Sequence, residues 1–148
     1  MRTLHRRQLI GRPREEVFAF FADARNLEAI TPPWLRFGVQ GDGEIEMRPG
    51  ALIGYRMRLH GVPVRWLTVI EEWQPSERFV DRQLRGPYRW WHHTHRFTDC
   101  AEGTMMCDDV RYALPLGRLG DLAHPLFVAR DLEAIFDHRR EAVARLLG

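Results

Sequence analysis

Apolar and polar residues alternate with period two through the middle of this chain, and helical spacing appears only near its two ends. Thr3 to Ile10 reads as an opening strand. Gly11-Arg12-Pro13 then starts a helix, with Pro13 suited to the first helical position and Glu15 and Glu16 in the first turn. Val17, Phe20, Phe21 and Ala24 form its apolar stripe. A second short helical piece carries Leu27 and Ile30, and Thr31-Pro32-Pro33-Trp34 stops it, because proline keeps the preceding residue out of helical conformation.

From Leu35 to Leu114 the pattern is β. Gly41-Asp42-Gly43, Arg48-Pro49-Gly50 and Gly61 to Pro63 are turns. Ile53, Tyr55, Met57 and Leu59 alternate with Gly54, Arg56, Arg58 and His60 in a clean two-faced strand. Val64 to Trp73 is apolar on both parities, so its faces stay unassigned. Phe79, Asp81 and Gln83 share a face of the next strand. After the Gly86-Pro87 turn, Trp91, His93, His95 and Phe97 share one parity, and Trp90, His92, Thr94 and Arg96 the other. Beyond a tight turn at Glu102-Gly103, Thr104, Met106, Asp108, Val110, Tyr112 and Leu114 form one face of a last strand. Leu122, Leu126, Ala129, Leu132, Ile135, Ala142 and Leu146 then mark a long amphipathic helix from roughly Asp121 to Leu147. Asp121 is a plausible N-cap, Pro125 a kink or the true start, and Arg130, Glu133, His138, Arg140, Glu141 and Arg145 the wet side.

This order predicts an α+β fold: one strand, two short helices, a run of antiparallel strands, then a long helix covering one face of the sheet. A twisted sheet curling around one helix leaves a gap, and that gap is the expected ligand cavity. Repeats, low-complexity tracts and linkers are absent, so residues 1–148 read as a single domain.

Composition narrows the chemistry. A net charge of +2, from 22 basic and 20 acidic residues, makes no case for nucleic acid or an anionic membrane. All the basic side chains are arginine, which removes Schiff-base lysines and a phosphate-loop lysine. The single serine, Ser76, lies in a turn with no G-x-S-x-G around it, which argues against a serine hydrolase. Cys100 and Cys107 would not sit opposite each other across the hairpin, so a disulfide is not expected. No apolar run follows the arginine-rich N-terminus and no stretch approaches about 20 apolar residues, so the expected location is the cytoplasm with no membrane span.

Imidazoles two apart on a strand lie roughly 7 Å apart on one face, so His93 and His95 are the leading candidates for chemistry. Position 95 falls roughly level with 108 to 110 if the hairpin turns near Ala101 to Thr104, which brings Asp108 toward an imidazole. A pair of this kind can equally be a satisfied structural network.

Several segments stand out together: Pro13-x-x-x-Val17-Phe18; Asn26-Leu27-x-x-Ile30-Thr31-Pro32-Pro33-Trp34; Phe79-x-Asp81-x-Gln83-x-x-Gly86-Pro87-Tyr88; Trp91-x-His93-x-His95-x-Phe97; Gly103-Thr104; Asp108-x-Val110-x-Tyr112-x-Leu114-Pro115; and Arg130-x-Leu132-x-x-Ile135-Phe136. On these segments the chain resembles the START-like, helix-grip (SRPBCC) superfamily of polyketide cyclases, plant pollen-allergen proteins and lipid-transfer domains, and its bacterial cyclase/dehydrase-like ligand-binding branch in particular. The resemblance spans nearly the whole chain and implies a curved antiparallel sheet wrapped around the C-terminal helix. It carries no catalytic set, because the superfamily shares a cavity rather than a mechanism.

Three readings of the site follow. In the first, the domain binds a hydrophobic or aromatic small molecule, with Tyr55, Met57, Trp91, Met106 and Tyr112 as walls and Asp81, Gln83, His93, His95 and Asp108 orienting the ligand. In the second it is a cyclase- or dehydratase-type enzyme, with His93 or His95 as general base, Asp108 fixing the tautomer and Tyr112 polarising a carbonyl. In the third, His93, His95 and Asp108 hold a metal, although the expectation is no metal and no cofactor. The expected partner is a small hydrophobic molecule, not nucleic acid, and the chain is expected to act as a monomer or homodimer.

Overall fold

The computed structural model describes residues 1–41, 43, 45–115 and 127–148. Strand β1 (Arg2–Ile10) leads into α1 (Arg14–Ala22), a 3-10 turn (Ala24–Asn26), α2 (Leu27–Ile30) and a second 3-10 turn (Pro33–Leu35). Six strands follow: β2 (Gly38–Val39), β3 (Leu52–Leu59), β4 (Val62–Gln74), β5 (Arg78–Arg85), β6 (Trp90–Cys100) and β7 (Gly103–Ala113); α3 (Ala129–Leu147) ends the chain. All pair antiparallel in one curved sheet of order β1-β7-β6-β5-β4-β3-β2. The first strand therefore lies beside the last.

Local chemistry sets the register. The β3–β4 hairpin turns on two residues, His60 and Gly61, both with positive φ (51° and 80°). Such a turn matches the twist of its flanking strands. Ala101-Glu102 turns the β6–β7 hairpin, and Gly103 (φ 137°) is the first residue of β7 rather than part of the turn. A side chain there would meet the Ile10 carbonyl at 2.4 Å, because β1 ends against the start of β7. Pro13 caps α1 from just outside it, its carbonyl accepting the Val17 N–H at 3.1 Å.

Strand β4 explains its own two-faced sequence. Its pairing with β5 shifts at Leu67/Thr68 and again at Ile70/Glu72. Thr68 and Ile70 point inward, and beyond the second irregularity Trp73 does so from the other parity, against Phe18 and Phe79. A bulge reverses which parity faces the core.

Three apolar clusters fill the concave side. One joins Val17, Phe18 and Phe21 of α1 to Phe79, Phe97 and Met106, and to Ala142, Val143 and Leu147 of α3. A second holds Val39, Ala51, Ile53, Tyr55 and Ile70. The third joins Trp91, Val110 and Tyr112 to Leu132 and Phe136 of α3. The α3 stripe is thus Leu132, Phe136, Ala142, Val143 and Leu147: the expected Leu132 and Ala142 belong to it, whereas Ile135 is half-buried and Leu146 is 44% exposed. Phe18 replaces Phe20 as a buried member of the α1 stripe. The expected start of the last helix, with Leu122 and Leu126, lies outside the described residues. Cys100 and Cys107 are free thiols. Among the described residues no helix is long and apolar enough to cross a membrane.

Candidate functional site

The three clusters do not quite meet. Between them, under the inner face of α3, lies a cavity of about 180 Å³ lined by members of each, including Phe21, Phe79, Ile53, Tyr55, Ile70, Trp91, Leu132 and Phe136. Its walls are mostly apolar, with polar atoms on Thr31, Tyr55, Trp66 and Tyr88 and a polar patch where β5, β6 and α3 place Asp81, His93, His95 and Arg139.

Register and side-chain reach build that polar wall. On β6, His93 and His95 share the inward face and are 4% and 3% exposed. Opposite His93 on β5 stands Asp81, and opposite His95 on β7 stands Asp108. The closest hydrogen bonds run diagonally instead. Asp81 Oδ2 accepts from His95 Nε2 at 2.6 Å, and Asp108 Oδ1 accepts from His93 Nε2 at 2.8 Å. Diagonal neighbours across a ladder lie within reach of side chains of this length. The position directly opposite His95 on the β5 side belongs to Phe79, whose ring stacks on the imidazole at 4.0 Å. The two imidazoles stack on each other at 3.7 Å. Asp108 also lies 3.4 Å from His95 Nδ1, which has no hydrogen bond of its own, and receives one from Arg139 at 3.3 Å.

The electrostatics separate the two histidines. Burial lowers the pKa of His93, and the neighbouring His95 lowers it further, so His93 is neutral near pH 7. Burial works against a charged His95 as well, but the nearby carboxylates of Asp108, at 3.4 Å, and of Asp81, which is hydrogen-bonded to it, outweigh burial and raise its pKa. Asp81 and Asp108 feel burial as their largest influence, which favours the protonated acid. The His95 bond for Asp81, and for Asp108 the Arg139 guanidinium with the His93 bond and the nearby His95 imidazole, reverse it and hold both carboxyls low. Two carboxylates thus face the Arg139 guanidinium and a His95 imidazole whose charged form they favour. Buried charges are tolerable where they are paired with opposite ones. Because an ionised carboxylate only accepts, the Asp108 bond places the neutral His93 proton on Nε2 and leaves its Nδ1 lone pair 3.9 Å from Asp81 Oδ2. Burial, with Asp81 as second cause, pushes the Tyr55 phenol well above its ordinary value and keeps it a neutral donor.

Of the residues expected to form the site, Tyr55, Met57, Asp81, Trp91, His93 and His95 line the cavity, and four do not. Gln83 is turned to the Gly86-Pro87 turn, where its amide holds the Tyr88 carbonyl at 2.6 Å and the Tyr88 N–H at 3.1 Å. Met106 is filled in by Phe18, Phe97 and Val143 around it. Tyr112 is buried among Trp91, Leu132 and Phe136, and so is not placed to polarise a carbonyl in the cavity. Asp108 sits behind the imidazoles rather than on the cavity surface. In the metal arrangement Asp81 takes the place expected of Asp108: ligand atoms of Asp81, His93 and His95 lie within 4.8 Å of one another. Holding an ion there would require breaking the 2.6 Å bond by which Asp81 already satisfies His95.

Arg139 was not anticipated. Its signal was present, since 132, 136, 139 and 143 are spaced as one helical face, and an arginine inside an apolar stripe marks a buried polar contact.

No family model matches this sequence, and no curated protein does. Solved structures resemble the chain throughout its length. Protein CV1439 from Chromobacterium violaceum is similar with a TM-score of 0.77 at 14% identity, over 99% of this chain and 98% of that one. The Zhui aromatase/cyclase from Streptomyces sp. R1128 gives 0.66 at 16%, over 99% and 90%. Ara h 8.0201 gives 0.70 at 13%, over 99% and 97%. At these identities the likeness is one of fold. The seven-stranded curved sheet gripping a long C-terminal helix is the START-like, helix-grip fold.

Proposed function

We propose that residues 1–148 form a single START-like domain that binds a small hydrophobic or aromatic molecule in the cavity between sheet and α3. The observation that carries this is an apolar cavity of about 180 Å³ with one polar wall. Few, convergent polar groups in an otherwise apolar concavity are the usual form of a small-molecule site. The apolar lining supplies affinity, while Asp81, His93 and His95 orient a polar group of the ligand. Native mass spectrometry of untagged protein tests this. A small-molecule adduct, released on denaturation and absent from a variant with a filled cavity, is the expected result. An adduct that persists in that variant would place the molecule elsewhere.

One feature favours a second reading, an acid–base enzyme of the cyclase or dehydratase type. His93 is a neutral base with its Nδ1 unprotonated, and it lies beside His95, whose pKa is raised by the neighbouring carboxylates, in the same cavity wall. Paired groups whose pKa values are driven apart are how one site supplies both a base and an acid. In that reading Asp108 holds the His93 tautomer at 2.8 Å, and Tyr55, not Tyr112, is the phenol on the cavity side.

A further inference from the structure

We infer that the molecule held in this cavity is a small aromatic carboxylate and that Arg139 receives its carboxylate; this rests on the cavity-binding reading above. Arg139 projects from the buried face of α3, one turn from Phe136 and from Val143, and its side chain is only 12% exposed. Burying a guanidinium this far is costly unless its donors are used. It has five N–H donors, yet among the described residues it makes one hydrogen bond, a long one of 3.3 Å to Asp108. That acceptor is already shared with His93 and His95. Instead of further acceptors, Arg139 has rings beside it: its guanidinium carbon lies 5.3 Å from the Phe21 ring and 5.6 Å from the Phe136 ring. Those contacts hold the planar group in place without using its N–H edges. The result is a preorganised fork with spare donors on the wall of an apolar cavity.

Basic residues outnumber acidic ones at that end. Behind Arg139 a shallow recess is lined by Arg6, Arg7, Arg140 and Asp108, and among the described residues only Arg6 of these three arginines has a carboxylate partner, Asp137. Asp81 also lines the cavity, but its charge is engaged by His95 at 2.6 Å. Trp66 Nε1 and His95 Nδ1 are also buried without partners on this lining, and among the described residues that line the cavity Arg139 is the one arginine with donors to spare. A planar fork with two parallel donors matches a carboxylate better than a hydroxyl or carbonyl. Size suits the remainder of the ligand. An apolar cavity of about 150 Å³ holds a benzene ring, so about 180 Å³ accommodates one ring with a short substituent.

The test uses two probes of one skeleton, cinnamate and cinnamyl alcohol, titrated into the full-length protein by calorimetry. Cinnamate is expected to bind at least about tenfold more tightly than the alcohol, the effect of one charge-assisted pair. In Arg139→Gln that preference should fall to near unity while the alcohol binds within about twofold of wild type, which also reports that the cavity is intact. Arg139→Lys, which keeps the charge and loses the fork, should retain an intermediate preference and serves if the glutamine variant does not fold. Equal binding of both probes to wild type would overturn the carboxylate assignment and leave the cavity reading standing. A cinnamate preference unchanged in the Arg139 variants would overturn the role of Arg139. Binding of neither probe would overturn the inference together with the cavity reading beneath it.

Discussion

Replacing Asp108 by Asn should destabilise the fold by about 2–4 kcal/mol at pH 7 while leaving its shape unchanged. The side chain is 10% exposed and its Oδ1 takes a bond from His93 at 2.8 Å and another from Arg139 at 3.3 Å, with His95 Nδ1 at 3.4 Å. Asparagine preserves size and one acceptor, so no cavity opens. What disappears is the negative charge opposite the buried Arg139 guanidinium and the His95 imidazole whose charged form it favours. Breaking a buried ion pair from one side costs about 3–5 kcal/mol, and the remaining acceptor returns part of that, on the order of 1 kcal/mol. The pH dependence gives a second handle. The folded pKa of Asp108 is depressed, so its contribution is present above the unfolded value near 3.8 and is lost as pH falls through the folded one. Urea titrations of wild type and Asp108→Asn should therefore differ most above about pH 5 and converge as pH falls below about 4. A difference under about 0.5 kcal/mol at pH 7, or one that does not shrink in acid, would refute the picture of Asp108 as the anion balancing this cluster.

His95 works with the opposite sign: its raised folded pKa makes its contribution complete below about pH 6.5 and lost as pH rises through the folded value, so wild-type stability should decline above pH 6.5 and His95→Gln should lack that slope in pH-dependent urea melts. Phe136→Ala should cost about 3–5 kcal/mol in the same assay, because the ring is 6% exposed between Leu132, Trp91 and the His93 imidazole; a loss under about 1 kcal/mol would contradict its core position. Gly103→Ala should lower the melting temperature sharply, since a methyl group 2.4 Å from the Ile10 carbonyl must push β1 off β7; an unchanged melt would show that this approach is not tight. Thiol titration of denatured, unreduced protein should find both cysteines reactive, and finding none would indicate a disulfide.

Much of the architecture was legible because the period-two signal is strong wherever one sheet face is buried and the other wet. Trp91, His93, His95 and Phe97 fall on the buried face that their parity indicates, and counting back from the hairpin brings position 95 to the level of 108 to 110, where the observed register sets it opposite Asp108. Parity could not assign β4, since two shifts of register let both faces carry apolar residues. Nor could it separate residues that line a cavity from residues packed solid behind it. Met106 and Tyr112 share a strand face with Asp108, and whether each meets empty space depends on Val143, Leu132 and Phe136 arriving from another element. The diagonal choice of partners, His95 with Asp81 and His93 with Asp108, is likewise a matter of side-chain rotamers stacked by Phe79, which spacing along the chain does not encode. Arg139 was readable, but only once the helical stripe is drawn through Phe136 and Val143 as well as Leu132 and Ala142.

The central claim is that the space between sheet and α3 is where a ligand sits, and filling it tests that claim most directly. Ile135 is half-buried and lines the cavity, so Ile135→Trp adds an indole to that space without removing a buried contact from the helix. Calorimetric titration with cinnamyl alcohol should show one site in wild type and a loss of at least about tenfold in Ile135→Trp, with the melting temperature of the variant held within a few degrees. Equal binding of the alcohol by both proteins would contradict the account, because the molecule would then be held somewhere other than this cavity.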